Sequence, residues 1–374
     1  MKNVLIIVST NIFSGAEKVL YDYLKDNKIH NFVLYTSKEK SVQNNFKSLP
    51  NVTVIADEKM KVISIRRNTI ASIKSIVYNL IHIRQIVKKF NIDVIYGNNT
   101  IDMLYVMLYK RFIQHDIGAI CHVHDIIQRN MYHHLIRKFS NLIDVFFVPS
   151  KAGKLSFIAD VDDGNKIKVV HNGCPDTLNY TSYRKKEVNK EYNLLFVGQI
   201  CERKRVDIFI NIIHYLNQLG NRKYHGIIVG GVNEDDSLYA KRFYQLIMND
   251  SSIEYRGLVD HNTLYNEIYP NVDGLLLTSN RDPLPTVILE AMCIGIPVFA
   301  RRVDGVSEMI DDGIDGITWQ YDDSIDIVAC RIDTAYNDTN QLNRMTLHAR
   351  KKVMNEFSLK QKKDFVDKMI EYIH

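Results

Sequence analysis

Short apolar runs alternate with longer amphipathic stretches along the first half of the chain. Apolar runs with strand character occupy residues 3–10, 31–37, 51–55, 92–99, 118–125 and 144–150. Between them, apolar positions recur at helical spacing, most clearly over residues 15–26 and 72–90. Buried strands that alternate with helices predict a parallel sheet covered by helices on both faces.

The second half of the chain repeats this pattern. Its strand candidates lie at residues 192–199, 224–231, 252–257, 274–279 and 296–301. A polar stretch rich in turn residues, 176–190, separates the two halves, and residues 359–374 have apolar positions at helical spacing. The pattern predicts two doubly wound α/β domains, which bind ligands beyond the carboxyl ends of their strands.

Length and composition agree with this division. A chain of 374 residues suits two domains of about 150–200 residues each. The hydrophobic fraction of 46% and the charged fraction of 24% are those of a soluble globular protein, and we expect no transmembrane helix because no apolar run reaches about 18 residues. Five scattered cysteines without a C-x-x-C pair argue against a zinc site or a disulfide framework and favour a reducing cytoplasm.

The net charge of +5 is distributed unevenly. Residues 1–180 contain 24 Lys/Arg against 15 Asp/Glu, which gives +9, and the remaining residues contain 24 against 28, which gives −4. Residues 59–90 hold eight Lys/Arg and no acid, interleaved with apolar residues. Such a segment is typical of a helix in an anionic membrane surface, and the alternative is an ordinary helix with one buried and one solvated face. The candidate membrane-contact residues are Arg66, Arg67, Lys88 and Lys89.

The stretch SNRDPLPTVILEAMCIGIPV, residues 279–298, predicts a loop followed by a helix. Gly295 and Pro297 are typical of the end of that helix. Its N-terminus would direct unpaired N–H groups and the positive end of the helix dipole at a ligand, which suits a phosphate. The residues predicted to surround that phosphate are Leu284, Pro285, Thr286 and Val287.

Two carboxylates flank this helix start. Glu290, about one turn inside, could accept hydrogen bonds from a vicinal diol such as ribose, and Asp282 could reach a hydroxyl at the other end of the ligand. One carboxylate at each end of a diphosphate would suit a nucleotide-sugar. The alternative is a solvated helix residue and a turn former.

A second loop, FVGQICERKRVDIFI at residues 196–210, also follows a strand candidate. It turns at Gly198 and Gln199 and then presents three cations, Arg203, Lys204 and Arg205. Cations at such a turn would neutralise a diphosphate and the charge that grows on it as it leaves. An exposed basic turn is the alternative.

Weaker candidates lie in the first half. Gly15 closes the first strand-to-helix turn, where glycine permits close approach of a ligand, although simple turn chemistry also explains it. His122 and His124 alternate with apolar residues at a strand end and should share one face. One of them could face a ligand, and a hydrogen-bonded core histidine is the alternative.

Together these stretches resemble the large retaining family-four glycosyltransferases, which have the GT-B fold. The stretches that carry the resemblance are SGAE, IDVIYGNN, VHD, DVFFVPS, KVVHNG, FVGQICERK, DGLLLTS, RDPLPTVILEAMCIGIPVFARRVDGVSEMI and IDDGIDGI. The long stretch is highly specific, and the N-terminal ones are less so.

The resemblance implies an N-terminal acceptor-binding domain at 1–178, a C-terminal nucleotide-sugar domain at 179–356 and a helix at 357–374 that crosses back to the first domain. The two Rossmann-like domains would face each other across a cleft. In this family an acidic pair separated by seven residues binds the donor sugar and the ribose, and here that pair is Asp282 and Glu290. Lys204 would bind the diphosphate, His124 would lie beside the donor sugar, and Gly15 would line the acceptor side.

Two positions depart from the family pattern. Gln199 stands where an arginine is usual, and Arg205 stands where a glycine is usual. We expect Arg203 or Arg205 to replace the missing arginine.

The implied reaction is transfer of a sugar from a UDP- or GDP-type nucleotide-sugar to a hydroxyl with retention of configuration, with no cofactor or metal expected. The acceptor would be a lipid-linked glycan of cell-surface polysaccharide or lipopolysaccharide synthesis, reached from the inner face of the plasma membrane. Nucleic acid is not expected as a partner, because aromatic residues are few in the basic segment. A catalytically weak, membrane-associated GT-B-like partner in a glycan-assembly complex is the alternative, and a dehydrogenase is disfavoured because no G-x-G-x-x-G follows the first strand.

Overall fold

The chain forms two compact units. The computed structural model describes residues 1–60, 69–127, 131–174, 191–233 and 236–373. One unit comprises Met1–Gly173 with Leu359–His374, and the other comprises Cys174–Ser358. The boundary predicted between residues 178 and 179 lies outside the described residues.

The first unit is built on a parallel sheet. Within the described ranges its strands are β1 Asn3–Val8, β2 Asn31–Ser37, β3 Val52–Asp57, β4 Val94–Gly97, β5 Gly118–His122, β6 Val145–Val148 and β7 Ile167–Val169. They lie in the order β3-β2-β1-β4-β5-β6-β7, so β1 is central. In register, Ile6 of β1 pairs with Leu34 on one side and with Tyr96 on the other. Strands buried on both faces explain the nearly continuous apolar runs.

Helices cover both faces of this sheet. They are α1 Gly15–Leu24, α2 Lys40–Lys47, α3 Thr69–Phe90, α4 Thr100–Phe112, α5 Met131–Phe139 and α6 Lys151–Phe157. Alternate residues of β1 enter different cores: Leu5 and Ile7 pack with residues of α3 and α4, and Ile6 packs with residues of α1. Successive side chains of β1 therefore point alternately into the two cores on opposite faces of the sheet.

The second unit has the same design. Its strands are β8 Glu191–Val197, β9 Lys223–Val229, β10 Ile253–Tyr255, β11 Gly274–Leu277, β12 Val298–Arg301 and β13 Ile317–Trp319. All of their pairings are parallel, and their order is β10-β9-β8-β11-β12-β13. Its helices are α7 Val206–Gln218, α8 Ser237–Ile247, α9 His261–Thr263, α10 Thr286–Ile294, α11 Val306–Met309, α12 Ile325–Ala335 and α13 Thr339–Glu356.

The last helix, α14, runs from Leu359 to Tyr372 and belongs to the first unit. Its Val366 and Ile370 are buried in the core that contains Ile6. A Cβ at Gly118 of β5 would lie 2.5 Å from the Cγ2 atom of Ile373, so the glycine makes room for that side chain. The predicted α/β fold with two doubly wound sheets is confirmed.

Candidate active site

The two loops that carry the predicted phosphate site leave the same edge of the second sheet. β8 and β11 are neighbours, and β9 and β10 lie on the other side of β8. The strand order therefore reverses between β8 and β11. Ligands of doubly wound sheets bind at this topological switch point, beyond the carboxyl ends of the strands.

Lys204 and Asp282 form an ion pair at this edge. The Nζ atom of Lys204 lies 2.6 Å from Oδ2 of Asp282, and the two side chains are only 13% and 7% exposed. The lysine stem passes over Gly198, where a Cβ would lie 3.5 Å from the lysine carbons. Two residues predicted on separate loops are thus in direct contact, and the pair gives the site a cation in a fixed position.

The two arginines of the first loop have different environments. Arg205 has left-handed backbone angles, φ 51° and ψ 51°, a conformation that favours glycine. Its Nε and Nη2 atoms each lie 2.9 Å from a carboxylate oxygen of Asp207, so its charge is committed to that partner. Arg203 is exposed, and its Nη1 donates to the carbonyl of Arg281 at 3.1 Å. Arg203 therefore lies beside the loop of Asp282.

Further hydrogen bonds connect the two loops. Oγ1 of Thr278 lies 2.8 Å from the carbonyl oxygen of Arg205 and 3.2 Å from that of Lys204. The backbone N–H of Asn280 donates to the carbonyl of Arg203 at 2.8 Å. Gln199, the first residue after Gly198, has an exposed side chain. These contacts hold the lysine loop against the aspartate loop.

The loop of Asp282 is also held from the β12 side. The backbone N–H of Asp282 donates to Oδ2 of Asp304 at 2.9 Å, and the backbone N–H of Gly305 donates to the carbonyl of Asp282 at 3.2 Å. Burial raises the pKa of Asp304. Arg301 donates from Nη1 to Oδ1 of Asn280 at 2.6 Å. The aspartate therefore has a defined backbone position as well as a lysine partner.

The predicted helix after this loop is confirmed as α10. It begins at Thr286, directly after Pro285, and no side chain caps its N-terminus. Leu284 and Pro285 are buried, and Thr286 and Val287 are half-buried. The helix ends before Gly295, whose φ of 85° is the left-handed conformation predicted for a glycine stop.

Glu290 lies one turn inside α10 and is buried, with 4% of its surface exposed. Its Oε2 accepts a hydrogen bond from the hydroxyl of Tyr269 at 2.8 Å. Burial raises the pKa of Tyr269, so the phenol stays protonated and donates to the carboxylate. Tyr265 stacks on the Tyr269 ring with centroids 5.7 Å apart. A polar contact and a stacked ring thus fix the Glu290 carboxylate.

Gly15 is the first residue of α1 and is exposed. The turn before it is held by Glu17, whose Oε2 accepts from the backbone N–H of Ser14 at 3.0 Å and from its hydroxyl at 2.6 Å. A Cβ built at Gly15 would meet nothing within 4 Å. The position leaves space at the carboxyl edge of the first sheet.

His124 lies just beyond β5 at the same edge of that sheet and is half-buried. Its ring packs on that of His122 with centroids 3.9 Å apart, which confirms that the two share one face. Its Nε2 lies 3.3 Å from Oδ1 of Asn98. Burial lowers the pKa of His124 to about 3, so it is a neutral imidazole at physiological pH.

The exposed face of α3 carries apolar and basic residues, among them Lys88 and Lys89 of the predicted membrane contact. Ile73, Val77 and Ile81 follow one another at four-residue spacing and are 59%, 50% and 52% exposed. The exposed cations of this helix are Lys74, Arg84, Lys88 and Lys89. Arg66 and Arg67 lie outside the described residues.

Within the described ranges, no group of three or more His, Cys, Asp or Glu side chains is arranged to hold a metal ion. No helix in the same ranges combines the length and the apolar character needed to cross a bilayer.

Sequence reasoning missed several residues that shape this site. Tyr269 is 21 positions from Glu290, and Asp304 is 22 positions from Asp282, so no local pattern connects either pair. Arg301 is the last residue of β12, and a charged residue in that place looks like the start of a solvated turn. The available signal was the place of Arg301 at the end of a predicted strand and of Asp304 in the turn that follows it.

The chain matches two family models. Residues 19–177 match Glycosyltransferase Family 4, and residues 181–352 match Glycosyl transferases group 1. The fold, the loops at the switch point and these matches define a GT-B glycosyltransferase. Together the two matched ranges cover most of the chain, which is a glycosyltransferase of the group 1 and family 4 type.

Two related proteins match part of this chain in sequence. A 41.2 kDa protein of the cps region of Klebsiella pneumoniae is 31% identical over 156 residues, which are 40% of this chain and 40% of that protein. The O-antigen biosynthesis glycosyltransferase WbnH of Escherichia coli is 26% identical over 238 residues, which are 62% of this chain and 65% of WbnH. The chain thus spans less than two thirds of the length of either relative.

Solved structures are similar over the whole chain. Anabaena HepE in complex with UDP-glucose superimposes with a TM-score of 0.80 at 18% identity, covering 99% of this chain and 100% of HepE. The lipopolysaccharide outer core galactosyltransferase WaaB in its apo form has a TM-score of 0.70 at 17% identity, covering 99% of each chain. At these identities the likeness shows the fold alone.

Proposed function

We propose that this protein transfers a sugar from a nucleoside diphosphate sugar to a hydroxyl group, with retention of the anomeric configuration. The observation that carries the proposal is the Lys204–Asp282 contact of 2.6 Å at the switch point, next to the start of α10, which has no side-chain cap. A fixed ammonium and free helix N–H groups together suit a diphosphate.

In the proposed reaction, the bond between the anomeric carbon and the diphosphate oxygen breaks, and the bonding electrons remain on the diphosphate. Lys204 and the N–H groups at the start of α10 stabilise that charge. The acceptor oxygen attacks the anomeric carbon from the same face, and its proton passes to the departing phosphate. The chain's own cations and amides supply the electrostatic stabilisation, so the proposal needs no metal.

The remaining site residues orient the donor. Asp282 would accept a hydrogen bond from a sugar hydroxyl while it holds Lys204, and Glu290 would bind the ribose diol from its place beside Tyr269. We assign Arg203 as the cation that compensates for Gln199, because the guanidinium of Arg205 is paired with Asp207. In the first unit, His124 would contact a sugar hydroxyl as a neutral ring, and Gly15 would leave room for the acceptor.

Cell-surface polysaccharide synthesis is the proposed setting. WbnH and WaaB are named for O-antigen and lipopolysaccharide synthesis, and the Klebsiella relative for a cps region. A lipid-linked glycan is the acceptor proposed on this basis, and UDP-sugars are the first donors to test because HepE binds UDP-glucose.

The outer face of α3 is the proposed contact with the inner face of the plasma membrane. Its three exposed apolar residues could enter the headgroup region, and its cations could face anionic lipids. This face would bring the enzyme to a lipid-linked acceptor.

The second candidate function is a catalytically weak, membrane-associated partner in a glycan-assembly complex. It is favoured by the exposed Gln199 and by the commitment of Arg205 to Asp207, which leave fewer cations for a diphosphate.

A donor panel tests the main proposal. UDP-, GDP-, ADP- and CMP-sugars should be compared by thermal shift, because a ligand that binds only the folded state raises the melting temperature. The stabilising donor should then be hydrolysed or transferred by the wild type and not by Glu290→Ala. Binding without turnover would favour the partner function, and the absence of any nucleotide binding would contradict the main proposal.

A further inference from the structure

A buried arginine lies behind the aspartate loop of the second unit. Arg301, the last residue of β12, is only 6% exposed. Its Nη2 atom donates to the carbonyl of Tyr321 at 2.8 Å, and its guanidinium carbon lies 4.0 Å from the centroid of the Tyr321 ring. A hydrogen bond and a cation–π contact with one residue hold the guanidinium in a fixed orientation.

The burial of Arg301 is not explained by core packing. Its Nε atom has no hydrogen-bond partner among the described residues. A buried guanidinium with one nitrogen unpartnered costs stability, because that nitrogen has lost its water and gained nothing in return. Local departures of this kind are expected where a side chain serves a functional site.

The third contact of Arg301 reaches the loop that carries Asp282. The Nη1 atom of Arg301 donates to Oδ1 of Asn280 at 2.6 Å. A guanidinium can only donate hydrogen bonds, so the amide oxygen of Asn280 must face it. The contact therefore fixes the side chain of Asn280, two residues before Asp282.

Arg203 is held by the same loop. The backbone N–H of Asn280 donates to the carbonyl of Arg203 at 2.8 Å, and Nη1 of Arg203 donates to the carbonyl of Arg281 at 3.1 Å. Both the backbone and the side chain of Arg203 are thus bonded to residues at the Arg301 contact. A cation that is already ordered loses less conformational entropy when it binds an anion.

We propose that Arg301 is a positioning residue for Arg203: acting through Asn280, it holds in place the cation that binds the diphosphate of the donor. Arg301 itself would not touch the substrate. Only the ligand rests on the proposed function, because the chain of contacts from Arg301 to Arg203 is a property of the folded unit.

The first test needs no ligand. Arg301→Lys keeps the charge but loses the planar donor group that reaches Asn280 and Tyr321 at the same time. In this variant the backbone N–H of Asn280 should exchange with deuterium about tenfold faster by NMR, because the loop opens more easily. Arg331→Lys is the matched control: Nη1 of Arg331 also donates to a backbone carbonyl, that of Thr318, and the change should leave the exchange of Asn280 unaltered.

The second test is a double-mutant cycle on nucleotide affinity. Arg301→Lys and Arg203→Met should each weaken the binding of UDP about tenfold in calorimetric titration, and the double variant should bind about as weakly as Arg203→Met alone. A merely structural role for Arg301 would make the two losses multiply. GDP replaces UDP if the donor panel selects a GDP-sugar.

Unchanged exchange of Asn280 in folded Arg301→Lys, or losses of UDP affinity that multiply in the double variant, would overturn the proposal. Asn280→Ala removes the acceptor of the Arg301 contact and gives the same cycle with Arg203→Met if Arg301→Lys does not fold. If exchange accelerates as expected while the wild type binds no nucleotide, the proposed function fails and the positioning of Arg203 by Arg301 stands.

Discussion

Lys204 reaches across from the loop after β8 to Asp282 on the loop after β11, and the two side chains meet at 2.6 Å. They are 78 positions apart, and they meet because β8 and β11 are neighbours at the point where strand order reverses. The pair is also shielded from water, which strengthens its field at the start of α10.

Lys204→Met should lower kcat for sugar transfer about 10²- to 10³-fold, the usual cost of losing one group that stabilises transition-state charge. The loss also leaves Asp282 buried without its cation. Steady-state kinetics with the donor found in the panel would measure the effect. Lys223→Met removes an exposed lysine from the same unit. It is the matched control and should leave kcat unchanged. An unchanged kcat in Lys204→Met would contradict the assigned role.

Tyr269→Phe should weaken donor binding roughly 10- to 100-fold, because a hydrogen bond to a charged group contributes about 1.5–3 kcal/mol. The change removes only the hydroxyl that holds Glu290 and keeps the stacked ring. Calorimetric titration with the nucleotide-sugar would measure it. Tyr244→Phe alters an exposed tyrosine and serves as the control. Equal donor affinity in both variants would mean that the hydroxyl does not position Glu290 for the ribose.

Lys88→Gln/Lys89→Gln should weaken binding to anionic vesicles about 30-fold, since each cation near such a surface contributes about 1 kcal/mol. Flotation with vesicles that contain phosphatidylglycerol would measure it. Ile73→Ser/Val77→Ser/Ile81→Ser should weaken binding even in high salt, where the electrostatic part is screened. Lys223→Gln/Lys241→Gln removes two exposed charges from the second unit as a control. Equal flotation of all variants would exclude α3 as the contact.

Asp102→Asn should make the stability of the first unit less dependent on pH between about 4 and 8. Burial raises the pKa of Asp102 to about 8, so the folded state keeps a proton that the unfolded chain releases above about pH 4. The free energy of unfolding therefore falls as pH rises from about 4 to about 8. The substitution should remove this loss, which is on the order of 4 kcal/mol between pH 5 and pH 8 and can be measured by urea unfolding. The exposed Asp116→Asn should retain the wild-type slope.

Gly295→Ala should destabilise the second unit by about 1 kcal/mol, because φ there is 85° and alanine avoids that region. Gly153→Ala should instead stabilise the first unit. Gly153 lies inside α6, an added Cβ there would be 3.4 Å from its nearest neighbour, and alanine favours the helix more than glycine does. Chemical denaturation of both variants would show whether the signs differ. A neutral Gly295→Ala would contradict the strain argument.

The sequence alone supported most of the fold, because the decisive signals are local. Apolar runs predicted most of the strands, and Gly295 predicted where α10 ends. The strand Ile317–Trp319 was missed because three residues are too few to show a period. The extent of the first unit could not be read locally, since α14 joins it from the far end of the chain.

The candidate site could be predicted only in part. The roles of Lys204, Asp282 and Glu290 could be inferred from the stretches in which they lie, but their partners depend on packing between distant segments. Arg205 shows the difference: as a cation on a basic turn it suggested a phosphate ligand, and in the structure it bonds to Asp207 two residues away. The orientation of a side chain is settled by neighbours that a linear pattern does not reveal.

The return of α14 to the first unit has a consequence for biosynthesis. Residues 1–173 are synthesised before the second unit, yet their sheet lacks Val366, Ile370 and Ile373 over one face until the segment after Ser358 has also been made. The second unit, continuous from Cys174 to Ser358, can complete its core before that moment. The unit whose synthesis begins first can therefore complete its core only after the second unit has been made, and an apolar face of its sheet stays uncovered in the meantime.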